Sequence, residues 1–170
     1  MKTLVIVTHP NIHDSMVSKT WVHMLRQHPD RFTVHELYSE YPDGVIDVER
    51  EQALVEEHQN IVLQFPVYWF NCPPLLKQWC DEVLTYGWAY GSKGKAFENK
   101  KLGIAVSLGA PASEYSAEGS VGYTVAETLR PFELTANYIS ANYQPLFTFH
   151  TIDTYESYDE AAAQLVADSA

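Results

Sequence analysis

Tyr68, Trp69 and Phe70 form a run of three aromatic residues shortly after an apolar stretch that Pro66 ends. A single loop cannot bury three neighbouring aromatic rings against one core, so we expect these rings to line a pocket or an interface. Filling of the core is the alternative interpretation. Aromatic walls of this kind bind flat ligands by stacking, which makes residues 66–70, the aromatic loop, a candidate binding loop.

Another candidate loop, HPNIHDS (the first loop), follows the first apolar stretch and leads into a predicted helix. Ser15 and Ser18 stand at the start of that helix, where hydroxyl groups and the free N–H groups of Met16, Val17 and Ser18 can bind a phosphate. Capping of the helix by Asp14 or Ser15 explains the same pattern equally well. The loop contains neither GxGxxG nor the P-loop pattern, which disfavours a dinucleotide site and a P-loop.

Metal and disulfide chemistry are both disfavoured. His9 and His13 could suggest a metal site, but Pro10 prevents the regular helix that would place both rings on one face, and no Cys or acidic set completes the ligands. Cys72 and Cys80 match neither a zinc spacing nor a disulfide framework. We therefore expect no metal and two reduced thiols.

The third candidate loop, SLGAPASEYS, follows another apolar stretch. Gly109 and Ala110 allow the backbone to approach a planar ligand, and Ser107 can donate a hydrogen bond to a carbonyl on its edge. Tyr115 is a candidate general acid or hydrogen-bond donor to a reducible oxygen, and simple closure of the loop is the alternative. Ser107 does not lie in a GxSxG sequence, so a nucleophilic triad is disfavoured.

Alternating strands and helices are predicted to position these loops. Apolar stretches without strict alternation are typical of parallel strands that are covered on both faces, which predicts a three-layer α/β sandwich. The candidate loops follow the first, third and fourth strands, so they should meet at the carboxyl edge of the sheet. The predicted strands are residues 4–7, 32–37, 61–65, 102–108 and 146–149.

The predicted helices begin with one that places Val17, Trp21, Met24, Leu25 and His28 on one face. Acidic residues 38–44 are predicted to form a loop, and the charges of the next helix are interpreted as a solvated face. The later helices are predicted at residues 48–59, 75–84, 121–142 with a break near Pro131, and about 157–167.

Composition narrows the class of protein. The chain has 170 residues, 46% of them hydrophobic, which predicts one domain over residues 1–170. A net charge of −11 argues against nucleic acid as a partner, so a bound phosphate should be met by backbone amides. The start, MKTLVIVTHP, lacks the pattern of a signal peptide, and no apolar run reaches about 18 residues. We expect a cytoplasmic protein.

Four segments carry a resemblance to a known family: HPNIHDS, FPVYWFNCPPLLKQWCDEVLTYGWAYG, SLGAP and LRPFELTANY. Together they resemble the NAD(P)H:quinone oxidoreductase family of flavodoxin-like flavoproteins. The segment YPDGVIDV looks most like the short bacterial members, which include general-stress quinone reductases and ancillary subunits of glutathione-gated potassium efflux systems. The resemblance implies a flavodoxin-like sandwich with a five-stranded parallel sheet in the order 2-1-3-4-5.

The resemblance also implies a flavin site built from the three candidate loops. Tyr115 would lie beside the flavin as the candidate catalytic residue and a cofactor contact. Trp88 and Tyr90 would reach across a dimer interface into the substrate pocket of the other subunit, which Tyr68 and Trp69 would line as well. The implied cofactor-binding residues are His9, Ser15, Met16, Val17 and Ser18 for the phosphate and ribityl chain, Pro66, Val67, Tyr68, Trp69 and Phe70 for the flavin ring, and Ser107, Leu108, Gly109 and Ala110 in the third loop.

The activity that the resemblance implies is that of an NAD(P)H dehydrogenase (quinone). FMN is the expected cofactor, with FAD as the alternative, and NADPH or NADH would pass hydride to flavin N5 before a quinone or similar aromatic acceptor takes two electrons by a ping-pong route. The protein would be a homodimer. The alternatives are a redox-sensing regulatory subunit of a potassium efflux system, partnered by a membrane transporter, and a one-electron flavodoxin-type carrier.

Two positions and one loop segment depart from the family pattern. Ser18 stands where asparagine is usual, and SLGA replaces the TTGG of the family. Val121 lies in the region where larger members carry a histidine that partners the tyrosine in proton relay. The resemblance therefore does not extend to a tyrosine–histidine relay.

Overall fold

The computed structural model of the protein describes residues 2–150. This part of the chain contains the strands β1 (Thr3–Val7), β2 (Phe32–Glu36), β3 (Asn60–Pro66), β4 (Lys101–Ser107), β5 (Asn142–Tyr143) and β6 (Phe147–Phe149). Its helices are α1 (Met16–Arg26), α2 (Leu37–Glu40), α3 (Val48–Glu56), α4 (Pro74–Val83), α5 (Val125–Thr128) and α6 (Arg130–Tyr138). The helix predicted at about residues 157–167 lies outside the described residues.

All strand pairs of the sheet are parallel, and the order β2-β1-β3-β4-β5 confirms the predicted order. The fifth position differs from the prediction, because two short strands share it. β5 pairs with the start of β4, and β6 pairs with its end. Pro145 lies between these strands and has no N–H to donate to the ladder, which accounts for the interruption.

Two helical regions differ from their predictions. α2 extends into the acidic stretch predicted as a loop, and residues 121–124 and 139–142 of the predicted helix 121–142 are not helical. α5 begins where Thr124 Oγ1 accepts the Glu127 N–H and the Glu127 carboxylate accepts the Thr124 N–H, which is a capping box. Pro131 lies in the first turn of α6, where its missing N–H is not needed, so the predicted break is confirmed.

The two faces of the sheet pack against different helices. On one face, Ile61, Leu63 and Phe65 of β3 belong to the main core, to which α3, α4 and α6 also contribute. On the other face, Val7 of β1 packs with Val22 of α1. Each fully buried side chain of this size contributes about 1.5–3 kcal/mol to stability. Packing on both faces fixes the ends of the central strands, from which the candidate loops emerge.

The charges of α3 are not all solvated, which corrects the interpretation from sequence. Glu51 is 0% exposed. Its carboxylate accepts hydrogen bonds from the Tyr41 hydroxyl at 2.6 Å and the Trp79 indole N–H at 2.8 Å, and lies 2.8 Å from His35 Nε2. Burial acts to raise the pKa of Glu51, but the hydrogen bonds from His35 and Tyr41 outweigh it, so the pKa is lowered. The donors lie far from Glu51 in the sequence.

Cys72 and Cys80 are free thiols. Burial raises the pKa of Cys72, and it raises the pKa of Cys80 to about 12, so neither thiol is a ready nucleophile near neutral pH. Within residues 2–150, no three His, Cys, Asp or Glu side chains are grouped so as to hold a metal ion. No helix in that range combines the length and apolar character needed to cross a membrane.

Candidate functional site

The candidate loops leave the sheet at one edge and at one level. The Thr8 N–H donates to Gln64 O at 2.8 Å, and the Val67 N–H donates to Ser107 O at 2.9 Å. These bonds continue the β1·β3 and β3·β4 ladders to the carboxyl ends of the strands. The predicted convergence of the first, aromatic and third loops at this carboxyl edge is therefore present.

The first loop ends in a capped helix start. Ser15 Oγ accepts the Ser18 N–H at 3.1 Å, so Ser15 is the N-cap of α1, as one of the two interpretations proposed. Capping uses one of the free N–H groups, and the N–H groups of Met16 and Val17 remain at the first turn for an anion. The side chains of Val17 and Ser18 are buried, and the Ser18 N–H is the one that the Ser15 cap uses.

His9 lies beside this helix start as a hydrogen-bond donor. Its Nδ1 accepts the backbone N–H of Asn11 at 3.1 Å, so the neutral ring carries its proton on Nε2. Burial lowers the pKa of His9, which favours the neutral ring. The ring also contacts Tyr68 edge-on, with centroids 6.2 Å apart, and this contact joins the first loop to the aromatic loop.

Thr8 is a site residue that the sequence reasoning missed. It is the first polar residue after β1 and is fully buried, yet its Oγ1 has no hydrogen-bond partner within the described part of the chain. A buried hydroxyl without a partner is costly, and it fits a position that a polar ligand group reaches. The signal for Thr8 in the sequence was its position as a polar residue directly after an apolar strand.

The aromatic loop forms a two-residue hairpin turn, the aromatic turn (residues 68–71). Tyr68 and Asn71 exchange two backbone hydrogen bonds of 2.8 and 3.0 Å. Trp69 and Phe70 occupy the turn with φ angles of 48° and 62°, in the left-handed region that costs non-glycine residues about 1–2 kcal/mol each. Trp69 is 93% exposed, so core filling does not account for it. Strain of this kind persists mainly at functional sites.

Tyr38 lies at the start of α4, the helix that follows the aromatic turn, and was not singled out in the sequence. Its hydroxyl accepts the Leu75 N–H at 3.4 Å, at the first turn of α4. Burial, and then the charge of Tyr38, raise the pKa of Tyr68. Below the turn, Pro66 is buried at the end of β3 and Val67 is half-buried.

The third loop offers main chain more than side chains. Ser107 and Leu108 are buried, whereas Gly109 is exposed and Ala110 is half-buried. Tyr115 is half-buried, and burial raises its pKa, so it remains a donor near neutral pH. The Tyr115 ring lies 5.9 Å from that of His150. His150, which the sequence reasoning missed, donates from Nδ1 to Ala110 O at 3.1 Å and braces the loop.

Trp88 and Tyr90 are not brought to the carboxyl edge of the sheet. The Trp88 indole donates to Glu56 Oε1 at 2.7 Å, at the end of α3, and its ring packs on Phe97. The Tyr90 ring contacts Tyr86 and Tyr138 with centroids 5.7 and 5.4 Å apart. The sequence reasoning missed Tyr86, which is 73% exposed and is the most accessible aromatic of this segment.

Two cavities adjoin the aromatic turn. One of about 390 Å³ is lined by Phe70, Val121, Tyr123, Glu127 and Thr128. A larger one of about 520 Å³ lies between α4 and α6 and begins at Asn71. The larger cavity meets the aromatic turn at Asn71, whereas the smaller one includes the aromatic residue Phe70 of that turn. The smaller cavity is therefore the better candidate for a small aromatic substrate.

The arrangement as a whole suits a flat ligand with an anionic tail. It combines helix N–H groups, a buried Thr8 hydroxyl with no hydrogen-bond partner among residues 2–150, exposed aromatic rings and hydrogen-bond donors at His9 and Tyr115. These groups can bind, orient and polarise a ligand.

The chain was compared with known proteins. The profile of a family described as having a flavodoxin-like fold matches residues 1–169. The chain is 55% identical over 148 residues, 87% of its length and 84% of the relative, to the uncharacterized NAD(P)H oxidoreductase YrkL of Bacillus subtilis (strain 168). It is 42% identical over 135 residues, 79% of its length and 73% of the relative, to the glutathione-regulated potassium-efflux system ancillary protein KefG of Erwinia tasmaniensis.

Solved structures agree with the sequence relatives. General stress protein 14 of Treponema denticola in complex with FMN has a TM-score of 0.90 and 61% identity, covering 98% of this chain and 97% of that one. An NADPH-quinone reductase from P.pentosaceus has a TM-score of 0.86 and 35% identity, covering 99% and 95%. With the profile match over nearly all of its length, the chain belongs to the family of proteins with the flavodoxin-like fold.

Proposed function

We propose that the protein is a flavin-dependent NAD(P)H oxidoreductase with FMN as its cofactor and a quinone or similar aromatic molecule as its electron acceptor. The observation that carries this proposal is the meeting of the α1 start, the aromatic turn and the third loop at one edge of the sheet. The FMN in the similar Treponema denticola structure and the activity named for the P.pentosaceus protein support it.

The first loop would hold the phosphate of FMN. The N–H groups of Met16 and Val17 point from the helix start, and the Thr8 hydroxyl and His9 Nε2 offer further donors nearby. Donors fixed by the fold bind a phosphate without a lysine cluster, in keeping with the net charge of −11. FMN ends in this phosphate, whereas FAD would need further contacts for an adenosine half.

The flavin ring would lie between the aromatic turn and the third loop. The N–H groups of Trp69 and Phe70 take no part in the hairpin bonds between Tyr68 and Asn71, so they can donate to the polar edge of the ring. Gly109 and Ala110 let the main chain of the third loop approach closely. Bound FMN would supply the redox chemistry, accepting hydride from NADPH or NADH and passing two electrons to the acceptor.

The substrates would stack in turn against the exposed aromatic side chains. Trp69 and Tyr68 provide flat walls, and the cavity beside Phe70 provides room for a ring. Because Tyr115 stays protonated, it can donate a hydrogen bond to the acceptor oxygen as negative charge develops there. One shared binding place for donor and acceptor leads to ping-pong kinetics.

We propose a homodimer whose subunits complete each other's sites. Exposed aromatic and apolar side chains at Tyr86, Leu134 and Tyr138 form more apolar surface than a monomer needs, and Tyr90 packs against two of them. The Trp88 indole is hydrogen-bonded to Glu56 within its own subunit. We therefore propose that Tyr86, in addition to Trp88 and Tyr90, extends into the substrate pocket of the partner subunit.

An absorbance titration tests this function. Purified protein incubated with FMN should become yellow, lose the flavin absorbance on anaerobic addition of NADPH, and regain it with menadione. Failure to take up FMN would contradict the whole proposal. Steady NADPH oxidation without a separate reductase would exclude the one-electron carrier, since a carrier cannot accept hydride by itself.

A regulatory role on a transporter is the second candidate. The 42% identity to a protein named as an ancillary part of a potassium-efflux system favours it. The measurement that decides is co-purification of the tagged protein with a potassium efflux channel from a membrane extract. Recovery of the channel would support regulation. Its absence, together with rapid quinone reduction, would support the enzymatic function and contradict the regulatory one.

A further inference from the structure

The buried carboxylate of Glu51 joins three separate parts of the fold. Its Oε1 accepts from the Tyr41 hydroxyl, which follows α2, and lies at hydrogen-bond distance from His35 Nε2 in β2. Its Oε2 accepts from the Trp79 indole N–H in α4. His35 and Trp79 are buried as well, at 5% and 2% exposure, so water cannot replace these bonds.

The segment at residues 37–46 also forms hydrogen bonds with α4, along one face of that helix. Leu75, Gln78 and Trp79 lie at spacings of three and four residues, which places them on one side of the helix. The Leu75 N–H donates to the Tyr38 hydroxyl, and Gln78 Nε2 donates to Gly44 O at 2.7 Å. The segment at residues 37–46 and α4 are thus tied together at three levels.

These contacts lie directly below the candidate site. His35 pairs with Ile6, one residue before β1 ends, so the Glu51 cluster is one layer beneath the carboxyl edge. α4 begins three residues after the aromatic turn, and the Tyr38 hydroxyl of α2 accepts the Leu75 N–H at the start of α4. A displacement of α2 or α4 would therefore move the helix start that directly follows the aromatic turn.

We propose that Glu51 is a positioning residue of the candidate site, which sets the aromatic turn by holding Tyr41 and Trp79 in fixed relation. The proposal rests on the proposed function for its catalytic consequence, but not for its structural part. The hydrogen bonds of the Glu51 carboxylate go to β2, to the residue after α2 and to α4. It acts through α2 and α4.

Two substitutions of Glu51 separate this role from bulk stability. In Glu51→Gln, the amide oxygen can accept from Trp79, and the amide NH₂ can donate to the Tyr41 oxygen and to the other tautomer of His35, so the geometry survives. In Glu51→Ala, the Trp79 N–H and the Tyr41 hydroxyl lose their acceptor in a buried place. Lys100→Met is the matched control, because it removes a buried 2.6 Å bond to His58 O at the opposite edge.

Hydrogen exchange of ligand-free protein is the first measurement. In Glu51→Ala, the amides of Tyr68, Asn71 and Leu75 should exchange about tenfold or more faster than in wild type, as expected for loss of one buried hydrogen-bonded group. In Glu51→Gln and Lys100→Met these amides should exchange at the wild-type rate relative to the most protected core amides. Unchanged exchange at the turn in Glu51→Ala would overturn the proposal.

FMN affinity and kinetics form the second measurement. Glu51→Ala should weaken FMN binding about tenfold or more and raise the KM of the acceptor, while Glu51→Gln restores both. Equal losses in Glu51→Ala and Lys100→Met would overturn the positioning role. If Glu51→Ala fails to fold, Tyr41→Phe, which deletes one donor only, should give the same pattern on a smaller scale. Absence of FMN binding in wild type would sink the proposed function and leave the exchange result standing.

Discussion

Trp69 and Phe70 hold left-handed backbones that their side chains disfavour, and they do so at the tip of an exposed turn. Hairpins of this length normally place Asn-Gly or Gly-containing pairs there. The Trp69 ring gains almost nothing from the fold itself, because it is nearly fully exposed. At the scale of single residues, the backbone strain lowers the stability of the fold while the Trp69 ring stays exposed to solvent.

Replacement of Trp69 should raise stability and weaken binding of the acceptor. Trp69→Asn removes a ring that is 93% exposed and introduces a residue that tolerates the left-handed region, so it should raise the free energy of unfolding by about 1 kcal/mol. The KM for the aromatic acceptor should rise at the same time. Urea unfolding and steady-state kinetics measure the two effects. Trp69→Phe keeps the strain and a ring, and a stability gain in that variant would refute the explanation.

Glu51 predicts a specific loss of stability in acid. Its pKa is lowered in the folded protein despite burial, because His35, Tyr41 and Trp79 donate to the ionised carboxylate. The ionised group therefore favours folding above the unfolded-state pKa, and this contribution disappears as the pH falls through the lowered folded-state pKa. The stability difference between wild type and Glu51→Gln should be larger at neutral pH than in acid. A difference that stays constant in urea titrations across that range would contradict the assignment.

At the scale of elements, helix starts and strand ends carry the site. α1 begins with a capped first turn at the carboxyl edge, and α4 begins with Pro73 and Pro74 just after the aromatic turn. Both starts are local in sequence, but only the β1·β3 and β3·β4 registers bring them to one edge. The helix start is therefore both a structural cap and a candidate anion site.

The cap can be tested against a matched cap elsewhere. Ser15→Ala should lower the free energy of unfolding by about 1 kcal/mol, because the Ser18 N–H loses its acceptor, and it should also weaken FMN binding. Thr124→Ala removes the comparable cap of α5, which lies outside the first loop. Thr124→Ala should cost similar stability but leave FMN affinity unchanged. Equal effects on FMN titrations would show that the α1 cap has no part in phosphate binding.

At the scale of the whole molecule, the distribution of exposed aromatic side chains suggests how the site is completed. Tyr86, Leu134 and Tyr138 are more than half exposed on the side of the molecule formed by α6 and the segment after α4. A net charge of −11 keeps copies of the chain apart unless an apolar surface attracts them. We therefore expect association to depend on this surface.

A charge placed in that surface should separate the subunits. Leu134→Glu should convert a homodimer to monomers, measured by light scattering after size exclusion, and should lower kcat/KM for the acceptor while FMN stays bound. Val45→Glu is the control, since Val45 is also an exposed apolar residue but lies in the loop before α3. A dimer that persists in Leu134→Glu would place the interface on another surface.

The sheet order was predicted from the family resemblance, whereas the strands and the meeting of three loops at the carboxyl edge were predicted from the local pattern of the chain. Buried parallel strands can be recognised from the sequence because each is a short continuous apolar run, whichever strand it pairs with. The same holds for the cap at Ser15 and the break near Pro131, since helix starts depend on neighbouring residues. For these features, adjacent residues already contain the physical cause.

Other features had their causes far away in the chain. Burial of Glu51 required donors from His35, Tyr41 and Trp79, the pairing of Tyr115 with His150 required the return of the last strands, and the fifth sheet position was divided around Pro145. The sequence by itself determined which loops could meet a phosphate and a flat ring. Only the tertiary structure decided which charges are buried and which rings face solvent, because those energies depend on partners that the chain brings together when it folds.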